Sequence, residues 1–172
     1  TAAKILWLKN HEPEVYEKTY KFLTGSSYLT AKLTGKYVID QFLAKGSFRP
    51  LYNRDGTINK ENCSLYCRPD QIAECAYSFE IAGTVTEEAA NESGLKKGTP
   101  VIVGTGDSTA EAISVGLVES GTVFFQYGSS MFYYYCVDRY VDDYVSANGN
   151  GSLKGGKEFT IPGIFCIGDG TN

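Results

Sequence analysis

Apolar residues recur at helical spacing early in the chain and at strand spacing late in it. Ile5, Leu6, Trp7 and Leu8 predict a short helix over residues 2–10. Glu12-Pro13-Glu14 predicts a second helix start, since proline suits the first turn and carboxylates favour the positive end of the helix dipole. Val15, Tyr16, Tyr20 and Leu23 continue that spacing, with Gly25 as its stop. Ser27 is placed to cap a third helix through Leu33, closed by Gly35. Residues 37–39 read as a brief strand ahead of Asp40, and residues 81–85 as another. Thr86 can cap a helix over residues 87–93, with two glutamates in its first turn and Gly94 after it. After Ser130 the pattern becomes strand-like: an aromatic run over residues 131–137, an acidic stretch, a glycine-rich stretch, and a run over residues 159–167 broken at Pro162-Gly163. Strands joined by turns predict hairpins or a meander there, ending in a glycine turn over residues 168–172.

The centre of the chain, PVIVGTGDSTAEAISVGLVESGTVFFQYGSS, holds the candidate chemistry. Residues 100–103 suit a buried strand, and Gly104 and Gly106 allow a tight turn with room for a ligand. Asp107 stands where a helix cap belongs, ahead of a helix carrying Ala110, Ala112, Ile113, Val115 and Leu117. Gly121 restarts the chain into a strand over residues 122–127. That strand ends in Gly128-Ser129-Ser130, whose amides and hydroxyls could hold phosphate oxygens. One carboxylate and one phosphate turn are the minimum for moving a phosphoryl group onto a hydroxyl. The same residues fit a plain reading, with Asp107 as a helix cap and Gly128-Ser129-Ser130 as a hairpin turn.

Beyond those residues, GTGDSTAEAISVGLVESGTVFFQYGSS resembles the centre of the FGGY-family carbohydrate kinases. The matching points are Gly106-Asp107, Val118-Glu119-Ser120-Gly121 and Gly128-Ser129-Ser130. The run AGTVTEEAANESGLKKGTPVIVGTGD and the earlier LWLKNHEPEVYEKTYKFL extend the resemblance over most of the chain. The resemblance implies an α/β, ribonuclease-H-like fold of the actin and sugar-kinase superfamily. It also implies a partial two-domain fragment, with residues 1–119 closing the N-terminal domain and 120–172 opening the C-terminal one. It implies ATP and magnesium as cofactors and a small sugar or polyol as acceptor, a ketopentose such as xylulose for xylulokinase-like members. Asp107 would then be the catalytic base, with Ser108 beside it at the sugar, and Gly128, Ser129 and Ser130 would bind the phosphates of ATP. The site would lie in a cleft between domains, and the fragment alone would be inactive.

The chain departs from the family pattern at two points. Ser108 replaces the Gln or Asn of many relatives, and Lys45 replaces the serine of an Asp-x-x-x-Ala-Ser segment that Asp40 opens. The resemblance makes Asp40 a supporting residue rather than a catalytic one. A competing class is a non-catalytic sugar- or nucleotide-sensing module of the same superfamily, which would tolerate loss of Asp107.

Composition removes other classes. The net charge of −4, with no basic stripe, disfavours nucleic-acid binding. No apolar run reaches membrane-spanning length. Five cysteines without a leader fit a reduced, cytoplasmic setting, and a homodimer stays open. Cys63, Cys67 and Cys75 lack a clear fourth metal ligand, and the spacing of the first two fits one helix face, so no metal is assigned to them. The lone histidine, His11, reads as a solvated loop residue. GSLKGGK has P-loop spacing, but Glu158 follows where Ser or Thr is needed, and a strand-like run follows in place of a helix. Gly104-x-Gly106 lacks the third glycine of a dinucleotide turn, and Asp107 would repel a pyrophosphate.

Overall fold

Helix formation at the start of the chain follows its punctuation. In the computed structural model, which describes residues 1–128, 131–139, 157–158 and 162–171, α1 (Ala2–His11) is followed directly by α2 (Pro13–Lys18), with Pro13 in the first turn. His11 is therefore the last residue of a helix and not a loop residue: its ring stacks on Trp7 at 4.8 Å, and Nδ1 lies 2.9 Å from the Trp7 carbonyl. The expected helical run through Leu23 also stops early, at Lys18. Lys21 explains the stop. Its ammonium donates to the carbonyls of Asp70 at 2.5 Å and Ile72 at 3.1 Å and sits over the rings of Tyr20 and Tyr37, so the segment after Thr19 is tied to a distant part of the chain. Gly25 begins α3 (Gly25–Thr34) where the sequence placed a stop, and the cap is Thr24, not Ser27: the Thr24 hydroxyl accepts the Ser27 amide. Gly35 closes that helix as expected.

The strand β1 (Val38–Asp40) leads into α4 (Gln41–Lys45), α5 (Lys60–Tyr66), a single 3-10 turn (Pro69–Gln71) and β2 (Glu74–Ala76). β1 and β2 pair in parallel, Ile39 opposite Cys75. Ile5, Tyr16, Ile39, Phe48, Leu51, Cys63 and Ile72 form the core between these elements. β3 (Ile81–Thr84), α6 (Glu87–Ser93) and β4 (Pro100–Ile102) complete this part. β3 and β4 pair antiparallel as a separate two-stranded sheet. The buried strand expected at residues 100–103 is thus a short ribbon: Ile102 is exposed and only Val103, just past it, is buried. Thr30 donates its hydroxyl to the Val103 carbonyl, fastening α3 to that point.

The chain divides into two compact units, Thr1–Gly106 and Asp107–Asn172. The second contains α7 (Asp107–Ser114) and the strands β5 (Val123–Tyr127), β6 (Met131–Val137), β7 (Lys157–Glu158) and β8 (Phe165–Thr171). The four strands form one antiparallel sheet in the order β5-β6-β8-β7, the hairpin arrangement the sequence predicts. α7 ends at Ser114, short of the expected Leu117, because the chain turns at Gly116 and Leu117 folds back into a buried position. The terminal glycine turn is also not seen. Gly168, Asp169 and Gly170 lie inside β8, with Gly168 opposite Tyr134. A Cβ on Gly168 would come within 2.7 Å of the Tyr134 ring, so glycine serves close packing here and not a bend. Most of the P-loop-like segment lies outside the described residues, and its Lys157 sits in a strand.

Candidate functional site

Within the first unit, Asp40 caps α4. Its Oδ2 accepts the amides of Phe42 at 3.1 Å and Leu43 at 3.3 Å. The same oxygen accepts the Thr105 hydroxyl at 2.9 Å, reaching the glycine turn that ends the unit. Gly104 in that turn has φ of +74°, a conformation side chains resist, and its amide donates to the Ser78 carbonyl. A Cβ on Gly106 would touch the Leu43 side chain at 3.4 Å. Asp40 is 2% exposed, and its Oδ1 has no hydrogen-bond partner among the described residues. Burial raises its pKa to about 6, against the opposing pull of the hydrogen bonds from Thr105, Leu43 and Phe42.

In the second unit, Asp107 is the first residue of α7 and is exposed. Its Oδ1 accepts the amide of Ser108 at 2.7 Å, and the carboxylate stands at the positive end of the helix. Thr109 and Ala112 form the buried side of α7, so Asp107 marks the wet edge and Ser108 the border. The Ser108 hydroxyl lies 3.2 Å from the Tyr134 hydroxyl. Burial pushes the Tyr134 phenol upward in pKa, and the Ser108 hydrogen bond opposes the rise, so the group stays a neutral hydroxyl. Gly128 follows β5 and is exposed; Ser129 and Ser130 lie outside the described residues. Tyr134 was absent from the sequence-based set. Alternation along β6 was its available signal: Phe132, Tyr134 and Cys136 share one face, and the middle tyrosine of three is the one on it.

Cys63, in the middle of α5, and Cys67, which follows its last residue, are both buried, and Cys75 lies next to Gly56. Burial raises the pKa of both buried thiols, that of Cys67 to about 12. Among the described residues no group of three or more His, Cys, Asp or Glu side chains could hold a metal ion. No helix among them is long and apolar enough to cross a membrane.

Residues 1–114 match the N-terminal domain of the FGGY family of carbohydrate kinases, and the chain belongs to that family. It is 32% identical over 136 residues to the xylulose kinase of Escherichia coli, covering 78% of this chain and 28% of that protein. It is 33% identical over 119 residues to the autoinducer-2 kinase of Klebsiella pneumoniae, covering 69% of this chain and 22% of that one. The crystal structure of xylulose kinase from Rhodospirillum rubrum superposes with a TM-score of 0.81 at 26% identity, covering 98% of this chain and 33% of that one. The fold is accordingly a part of the ribonuclease-H-like, actin and sugar-kinase type, and the chain spans about a third or less of the length of these relatives.

Proposed function

We propose that this chain belongs to an ATP-dependent kinase that phosphorylates a sugar or polyol hydroxyl, with a ketopentose such as xylulose as acceptor. The observation that carries this reading is the placement of Asp107. It is an exposed carboxylate opening α7, one residue beyond a pinned glycine turn, with a hydroxyl on the next residue. The xylulose kinases among its relatives favour the ketopentose.

Asp107 accepts the proton that leaves the attacking sugar hydroxyl as the oxygen–phosphorus bond forms. The nucleotide supplies the phosphoryl group and keeps the electron pair of the broken bond on ADP. Ser108 contacts the sugar. Gly128, Ser129 and Ser130 hold the transferred phosphate, and the exposed Gly128 at a strand end suits main-chain contact with an anion. Magnesium binds such sites largely through water and substrate phosphates, so it needs no dedicated cluster of protein ligands.

The test is ADP release by the intact protein with ATP and magnesium across ketopentoses, aldopentoses, polyols and aldonates. Release that depends on a ketopentose is the expected result. Equal background release with every compound would remove the kinase reading.

A further inference from the structure

Three consecutive tyrosines in β6 have different surroundings. Tyr135 is exposed, whereas Tyr134 is half-buried on the face it shares with Phe132 and Cys136. The Tyr134 ring stacks against Phe124 at 6.3 Å and packs against Phe132 at 5.0 Å. Across the sheet it faces Gly168, where a Cβ would meet the Tyr133 carbonyl oxygen at 2.6 Å and the Tyr134 ring at 2.7 Å. The ring thus has aromatic neighbours on its own sheet and a place that only glycine leaves open. A tyrosine side chain has two torsions, and packing on this scale fixes both, which fixes the position of its oxygen. That oxygen lies 3.2 Å from Ser108 Oγ, on the residue next to Asp107.

We infer that Tyr134 is a positioning residue for the acceptor sugar: through its hydroxyl it holds the Ser108 side chain in one rotamer, and so sets which sugar hydroxyl meets the group beside Asp107. This rests on the reading of Asp107 and Ser108 given above. A free serine samples three rotamers. The phenol selects one, so the hydroxyl is already aligned when the sugar arrives and less ordering is lost on binding.

The experiment compares Tyr134→Phe, Ser108→Ala and the double variant in the intact protein. D-xylulose and D-ribulose serve as acceptors, and sugar binding is measured by calorimetry beside the KM for sugar and for ATP. Tyr134→Phe should raise the sugar Kd and KM about fivefold and leave the KM for ATP unchanged, the size expected for one lost hydrogen bond. Ser108→Ala should do the same, and the double variant should be no worse than either single one. Ser108→Thr, which restores the hydroxyl, should recover most of the loss. A Tyr134→Phe variant that only melts at lower temperature, with sugar Kd unchanged, would reduce the pair to a helix-to-sheet fastening and overturn the proposal, as would additive losses. The kinase reading fails separately, if the wild-type protein shows no ADP release above background with any sugar or polyol. A wild-type protein that binds neither sugar overturns both.

Discussion

Asp107→Asn lowers the sugar-dependent kcat about a thousandfold, within the range a positioned general base contributes. Asparagine keeps the size and planarity of the side chain and still suits a helix start, so α7 forms as before. Its amide oxygen can also accept the Ser108 amide that Asp107 accepts now. What it cannot do is take a proton from an attacking hydroxyl. The sugar and ATP KM values should therefore stay within about threefold while kcat falls, the pattern of an interaction made in the transition state. Steady-state ADP release by the intact protein measures it, with thermal melting to show the fold unchanged. Turnover within tenfold of wild type would make Asp107 a helix-end residue only and place the base elsewhere.

Asp40 has the second large effect, on stability. Its pKa is near 6 in the folded protein and about 3.8 unfolded, so the folded state holds the proton more tightly. The contribution is full below pH 3.8 and is lost as pH rises through 6, an effect of about 3 kcal/mol. Acidification from pH 7 to 4.5 should thus raise this residue's share of stability. Asp40→Asn should abolish that dependence while retaining an oxygen for the Phe42, Leu43 and Thr105 donors. Asp40→Ala leaves those donors without their acceptor in a buried place and should cost about 2–4 kcal/mol at neutral pH. Urea unfolding at several pH values separates the variants. Equal pH slopes for wild type and Asp40→Asn would show that Asp40 titrates as an ordinary aspartate.

Local chemistry made much of this legible in the sequence. Helix ends written in short-range signals, such as Thr86 before α6 and Gly94 after it, lie where the residues predict, because a cap is decided by neighbours within one turn. Misplaced features depend on distant partners. The second helix stops because Lys21 reaches carbonyls about fifty positions away, and Gly168 stays extended because Tyr134 needs the space. Periodicity within a window carries neither fact. At the candidate site, the glycine turn and the helix after it single out Asp107, and the family resemblance singles out Ser108. Tyr134 was not, since its link to Ser108 spans 26 positions and depends on which way a strand's alternation falls.

The cysteines have a practical use outside catalysis. Cys63 and Cys67 are buried in the first unit, Cys136 and Cys166 in the second. Burial disfavours the thiolate at Cys63, Cys67 and Cys136, so these groups react slowly while their surroundings stay closed. A thiol-labelling time course resolved by peptide mass then becomes a pair of internal clocks, one for each half of the chain. Equal rates would mark a single cooperative opening, and unequal rates would identify the half that breathes first.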